Sequence, residues 1–208
     1  LNTDRSLRFY LQVTYQTMDE FTTVAEAIRA RDIPPVPALI AEMYALMVRR
    51  DVVDAAGFLD EAYSVPAIAA YDYTLRMTRA GYGIALAPRI FVHRNEGRPN
   101  HPEYRNAYTQ DHGLFYSQWG VSLTYSFASR SDLFPMMDLE REGLHVLEIG
   151  CACGATLRDI GARNPSAKLY GVELNENAAA IAAPFAQIQS MNVEKLDPEE
   201  IPERFDYI

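Results

Sequence analysis

No run of about 18 apolar residues occurs in this chain, so no membrane-crossing helix is expected. Nor does the N-terminus show a charged leader followed by an apolar core, the pattern of a secretory signal. Cysteine is nearly absent. Cys151 and Cys153 lie one residue apart, too close for an unstrained disulfide and too few for a structural zinc site. They are expected to be small residues of a turn in a reduced, cytosolic protein. An excess of positive charge is missing too. Nineteen Lys and Arg against 28 Asp and Glu give a net charge of −9, which argues against general nucleic-acid binding and leaves room only for a local basic groove. Internal repeats, low-complexity tracts and Gly/Ser-rich linkers are absent as well.

The chain does have enough apolar residues for a core, 49% hydrophobic against 23% charged over 208 residues, which suits one large domain or two small ones. It lacks an initial Met and stops within the strand-like Phe205-Asp206-Tyr207-Ile208, so it is expected to be an excerpt of a longer polypeptide.

In the first half, residues 9–16 carry β-formers and predict an extended segment. Phe21, Val24, Ala25 and Ile28 recur at helical spacing, and the proline-rich run 33–37 stops that helix. Residues 42–48 predict a buried strand. Two helices follow, 50–56 and 69–80, with Gly57 and Gly81 just past their ends. Short strands are expected at 84–87 and 90–93. Residues 96–106 turn polar and read as the exit from a domain. Residues 107–140 are rich in aromatics without a clean period, which predicts a packed connector.

From Leu144 the pattern alternates. Strands are expected at 144–149, 168–173, 186–191 and 205–208, with helices at 155–163 and 176–183, which implies a parallel sheet flanked by helices. The first strand ends in Glu148 and runs into the loop Gly150-Cys151-Ala152-Cys153-Gly154. A strand, a glycine turn and a helix start let backbone approach a nucleotide-like ligand. A second strand ends in the acidic Glu173 about 20 residues on, where a ribose-binding carboxylate belongs.

The loop is not the dinucleotide Gly-x-Gly-x-x-Gly. Glu148-x-Gly150-x-x-x-Gly154 with Glu173 resembles the first two motifs of class I S-adenosylmethionine-dependent methyltransferases. The resemblance implies that Gly150, Ala152 and Gly154 form a slim loop around the cofactor's methionine end, with Glu148 ordering the loop or its water contacts to the cofactor's amino end. It also implies that Glu173 binds the ribose hydroxyls, that Asn192 lies against the adenine, and that Asp206 ends the fourth strand near the methyl group.

The first half is similar to the C-terminal part of family-2 glycosyltransferases of the GT-A (nucleotide-diphospho-sugar transferase) fold. The likeness rests on Gly57-Phe58-Leu59-Asp60-Glu61, on Tyr71-Asp72-Tyr73-Thr74-Leu75-Arg76, on Ala80-Gly81-Tyr82 and on Phe91-Val92-His93. It implies a nucleotide-sugar donor, a divalent metal near His93 and an acidic base at the head of a helix. Ala69 and Ala70 occupy the positions of the acidic pair, leaving Asp72 as the remaining candidate base, so this half is expected to lack glycosyltransferase activity.

The expected organisation is therefore α/β throughout. A partial GT-A domain spans 1–102, a connector spans 103–140, and the front half of a Rossmann-like methyltransferase domain spans 141–208. The connector's Phe115, Trp119-Gly120, Tyr125 and Arg130-x-Asp132-Leu133 resemble the join in bacterial glycosyltransferase–methyltransferase fusions that act on surface polysaccharide. The implied protein is a bifunctional cytoplasmic enzyme with a sugar or glycan-linked acceptor, the inner membrane face being an alternative location. A non-catalytic glycan- or partner-binding module tethered to a methyltransferase is the alternative reading.

Overall fold

The computed structural model describes residues 14–41, 45–93, 102–195 and 204–208. The chain divides into two compact units, with the boundary between Tyr108 and Thr109.

In the first unit, helix α1 (Met18–Arg29) starts where the Thr17 hydroxyl accepts the Glu20 N–H, a side-chain cap that satisfies one of the helix's free donors. Helices α2 (Arg50–Ala56) and α3 (Pro66–Arg79) follow. Pro66 is pre-shaped for the first turn of α3, and Gly57 takes φ +77° past the end of α2. Val52 of α2 meets Tyr73 and Met77 of α3 in a small core that Leu46, Val48 and Ile84 help to cover.

The strand expected at 42–48 does not form over residues 45–48, and residues 42–44 lie outside the described residues. Leu46 and Val48 do turn toward the core while Met47 is almost fully exposed, so the alternation is present without a partner strand. The proline run contains a strand instead. Strand β1 (Val36–Ala38) pairs antiparallel with β2 (Ile84–Leu86), Pro37 lying opposite Ala85. A two-stranded ribbon is all edge, where a residue lacking an N–H is tolerated. No ladder forms at 90–93, where the Ile90 N–H turns back to the Ala87 carbonyl. Residues 9–13 of the first expected strand lie outside the described residues, and residues 14 and 15 take no regular structure.

The polar stretch read as a domain exit opens a long helix, α4 (Pro102–Trp119). Its buried residues are Asp111, Phe115 and Trp119, four apart along one narrow seam. From Thr109 onward the chain belongs to the second unit. There β3 (His145–Ile149), α5 (Ala155–Arg163), β4 (Lys168–Glu173), α6 (Glu176–Ala182) and β5 (Gln187–Ser190) alternate as the sequence predicts.

The three strands are parallel in the order β3-β4-β5. Residue 207 makes a parallel bridge to Val146 on the free side of β3, with the Leu147 N–H donating to the Tyr207 carbonyl at 3.0 Å. The lateral order is therefore third, second, first, fourth. That order reverses between β3 and the 205–208 segment, and such a switch point opens a crevice at the carboxyl ends of the strands. Leu144, Val146, Leu157, Ile160, Leu169 and Ala182 form the core beneath it.

Candidate functional site

The glycine loop is shaped by backbone strain and backbone hydrogen bonds. Gly150, Ala152 and Gly154 take φ of +73°, +47° and +76°, and Ala152 is the one non-glycine residue with positive φ among the described residues. The Gly150 and Cys151 N–H groups both donate to the Val172 carbonyl, at 2.7 and 3.2 Å, so the loop starts locked to β4. The Gly154 N–H closes the turn on the Cys151 carbonyl at 2.8 Å.

Gly150 and Gly154 serve different ends. A Cβ on Gly150 would meet nothing within 4 Å, so its open side is free for a ligand. A Cβ on Gly154 would sit 2.9 Å from the Cβ of Ala182, so that glycine lets the start of α5 close on α6. Gly154 thus has a packing task in addition to the loop role expected of it. Gly154→Ala should destabilise the unit by about 2 kcal/mol or more through strain and overpacking. Gly150→Ala should cost only the strain, about 1 kcal/mol. Urea unfolding midpoints of the two variants test the ranking.

Glu173 ends β4 and clamps two loops. Its Oε2 accepts the Ala152 N–H at 2.8 Å and its Oε1 accepts the Asn175 N–H at 2.8 Å. Asn175 in turn caps α6, its Oδ1 accepting from Asn177 and Ala178, and donates its amide to the Gly120 carbonyl at 2.8 Å. The strain at Ala152 is thus held by a charge-assisted hydrogen bond to the Glu173 carboxylate.

Glu148 lines a cavity of about 400 Å³ at the switch point, walled by β3, α5, residues 130–137 and the Tyr207-Ile208 end. Its carboxyl is pushed up to about 7, chiefly by burial. The Thr156 hydroxyl and the Arg130 charge pull the other way, and Glu173 adds to the rise. Its Oε2 is sealed from solvent with no hydrogen-bond partner. A buried carboxyl oxygen left bare costs free energy until a donor meets it.

Asn192 is half-buried just after β5. Its side-chain oxygen accepts the Glu194 N–H, and the adjacent Met191 N–H bonds the Glu173 carbonyl at 3.0 Å. Glu148, Gly150, Ala152, Gly154, Glu173 and Asn192 therefore gather at one end of the sheet. Asp206 does not. It lies beside His145 at the opening of β3, five residues before Gly150, which is about 17 Å along a strand. There it accepts the His145 N–H at 3.0 Å and the Arg141 guanidinium at 2.6 Å, which hold its carboxyl below the usual range. A place near the methyl group is corrected by this register: Asp206 is at the strand's start, not its end.

The two candidates in the first unit are also committed elsewhere. Asp72 is fully buried on α3, and its Oδ2 accepts the Arg76 guanidinium at 2.8 Å. Arg76 also donates to the Ala56 carbonyl at 2.6 Å and so ties α3 to the end of α2. A sealed, paired carboxylate does not reach an acceptor hydroxyl, which corrects its reading as a base. His93 is exposed. Its Nδ1 faces the Tyr15 hydroxyl, in an aromatic cluster with Phe21 and Phe91. Among the described residues no three His, Cys, Asp or Glu side chains are grouped to hold a metal, so the expected metal role of His93 has no companion ligands there.

Sequence reasoning missed three contributors. Thr156 meets the Glu148 carboxyl and receives the Arg130 N–H at 3.2 Å. The Ser126 carbonyl accepts the Cys153 N–H at 3.0 Å, so the segment after α4 is a wall of the site. Gly171 is the third. A Cβ there would stand 2.6 Å from the Cys151 sulfur and 2.7 Å from Ile188. A lone glycine inside a strand is a signal for such close approach, and it was present in Leu169-Tyr170-Gly171-Val172-Glu173.

No family model matches the chain, and no curated protein matches it. Among solved structures, the plantazolicin methyltransferase in complex with SAH is similar at 17% identity and a TM-score of 0.31, over 51% of this chain and 40% of that one. The same methyltransferase with a pentazolic desmethylPZN analog and SAH gives 19% identity and a TM-score of 0.30, over 50% and 40%. Coclaurine N-methyltransferase bound to N-methylheliamine and SAH gives 8% and 0.26, over 93% of this chain and 44% of that one. The chain spans less than half the length of these structures.

Proposed function

We propose that the second unit binds S-adenosylmethionine and serves methyl transfer. The observation that carries this reading is the joining of Glu173 to the glycine loop at the carboxyl end of a parallel sheet, beside a crevice at the switch point. The residues suit the cofactor. Gly150 leaves an open side, Glu173 has acceptor oxygens at the ribose position, and Glu148 offers a bare oxygen to a donor.

S-adenosylmethionine supplies an activated methyl group, displaced in line from a sulfonium, so placement of the two reactants is most of what a protein contributes. In this chain the loop takes the methionine end, Glu173 takes the ribose, Asn192 borders the adenine side, and the Ser126 carbonyl braces the loop from the segment after α4.

For the first unit we propose a non-catalytic module that binds glycan or a partner. This is supported by the burial of Ala69 and Ala70 and by the ion pair that encloses Asp72. The matching acceptor class is a sugar or a sugar-linked group, a choice that rests on the glycosyltransferase likeness of residues 57–93.

Calorimetric titration with S-adenosylhomocysteine and, separately, with NAD tests the cofactor reading. Saturable binding of the former alone is the expected result. NAD binding, or no binding by either, defeats it.

A further inference from the structure

Glu173 takes its orientation from a segment remote from it in sequence. Its two oxygens each accept one backbone N–H, from Ala152 and from Asn175, both at 2.8 Å. A carboxylate has about four acceptor positions, so each oxygen keeps one open, and the two N–H groups decide where those point. Both donors are braced by residues 120–126. Next to Ala152, the Cys153 N–H donates to the Ser126 carbonyl at 3.0 Å. The Asn175 side-chain amide donates to the Gly120 carbonyl at 2.8 Å. That carbonyl is itself fixed. The Gly120 N–H closes the end of α4 on the Tyr116 carbonyl at 2.8 Å, and Trp119 and Val121 on either side are buried. Gly120 takes φ +68°, and a Cβ there would collide with the Asn177 side-chain amide, so a glycine is what lets α4 end this close to α6.

Asn175 is exposed, yet each of its polar groups is engaged. Its N–H meets Glu173, its carbonyl accepts the Ala179 N–H at 2.9 Å, its Oδ1 caps α6, and its amide reaches Gly120. Capping uses only the side-chain oxygen, so the bond to Gly120 serves something else. We propose that Asn175 is a positioning residue for the ribose. Through its bond to the Gly120 carbonyl it keeps the open acceptor positions of Glu173 on the ribose hydroxyls, and so sets a preference for a ribonucleoside over a deoxyribonucleoside. The inference rests on the cofactor reading above and adds how that site tells one sugar from the other. Alignment matters because a hydrogen bond weakens steeply off axis, and an acceptor held in place beforehand loses no freedom on binding.

The test is calorimetry on the full chain with S-adenosylhomocysteine and with its 2′-deoxy analogue. The wild-type chain should prefer the former by about tenfold or more, the worth of one hydrogen bond to a charged acceptor. Asn175→Ser keeps an oxygen to cap α6 and the backbone N–H on Glu173, and lacks the amide that reaches Gly120. Its preference should fall to about threefold or less, through weaker binding of S-adenosylhomocysteine and little change for the analogue. Gly120→Ala, which parts the same contact from the other side, should do likewise, and Asn175→Ser decides the matter if that variant does not fold. A loss of affinity for both ligands alike, with the preference unchanged, marks a merely structural role and overturns the inference while the cofactor reading stands. Wild-type binding of both ligands with equal affinity overturns it too. Absence of binding by either ligand defeats the cofactor reading and this inference with it.

Discussion

Glu173→Ala should weaken S-adenosylhomocysteine binding by about 100-fold or more. Two charge-assisted hydrogen bonds to a ribose contribute about 1.5–3 kcal/mol each, and each 1.4 kcal/mol is tenfold in affinity. The loss goes beyond the ligand. The same carboxylate receives the Ala152 and Asn175 N–H groups, so its removal leaves both donors unpaired and frees a residue held at φ +47°. Amide exchange at Ala152 and Asn175 should therefore quicken in the ligand-free variant. Glu173→Gln keeps one acceptor oxygen and should lie between. A Kd within threefold of wild type for Glu173→Ala would show that the ribose contact is absent.

The second large effect falls on the first unit. Ala70→Asp, which puts back an acidic residue at one of the positions where family-2 glycosyltransferases carry a pair, should unfold the unit and not revive it. Ala70 is 0% exposed and Ala69 6% exposed, both on α3. An uncompensated charge at such a site costs about 3–5 kcal/mol, which for a unit of this size lowers Tm by on the order of 10 °C or more. Thermal melting followed by circular dichroism measures it. An unchanged Tm together with sugar-nucleotide turnover by the variant would sink the module reading, and so would turnover by the native chain.

The second unit was largely legible because its signals are local and mutually consistent. Apolar strand, glycine turn and helix repeat at the spacing of a parallel sheet, and β4 occupies the span its sequence pattern marks. The site was legible for the same reason: its residues sit at strand ends and in one turn. Asp206 misled because residue order along a strand says nothing of register. Only the pairing of residue 207 with Val146 shows which end of the sheet it occupies. Helix α4 was hidden by its own seam. Phe115 and Trp119 are four apart, but the third buried member is Asp111, so no apolar stripe marks the helix. In the first unit, Pro37 reads as a breaker in isolation and is harmless in a ribbon that is all edge. The apolar run at 46–48 has the alternation of a strand, but hydrogen bonding requires a neighbour that the sequence does not show.

The two cysteines acquire a use from their surroundings. Both thiols are buried, one packed against Gly171 and the other at the turn into α5, and burial together with Glu173 keeps them in the uncharged form. Alkylating reagents attack the thiolate, so the folded loop is chemically silent toward them. Any labelling that occurs times the moments when the turn opens, and a ligand seated on that turn would slow the clock. The chain carries its own stopwatch in the glycine turn.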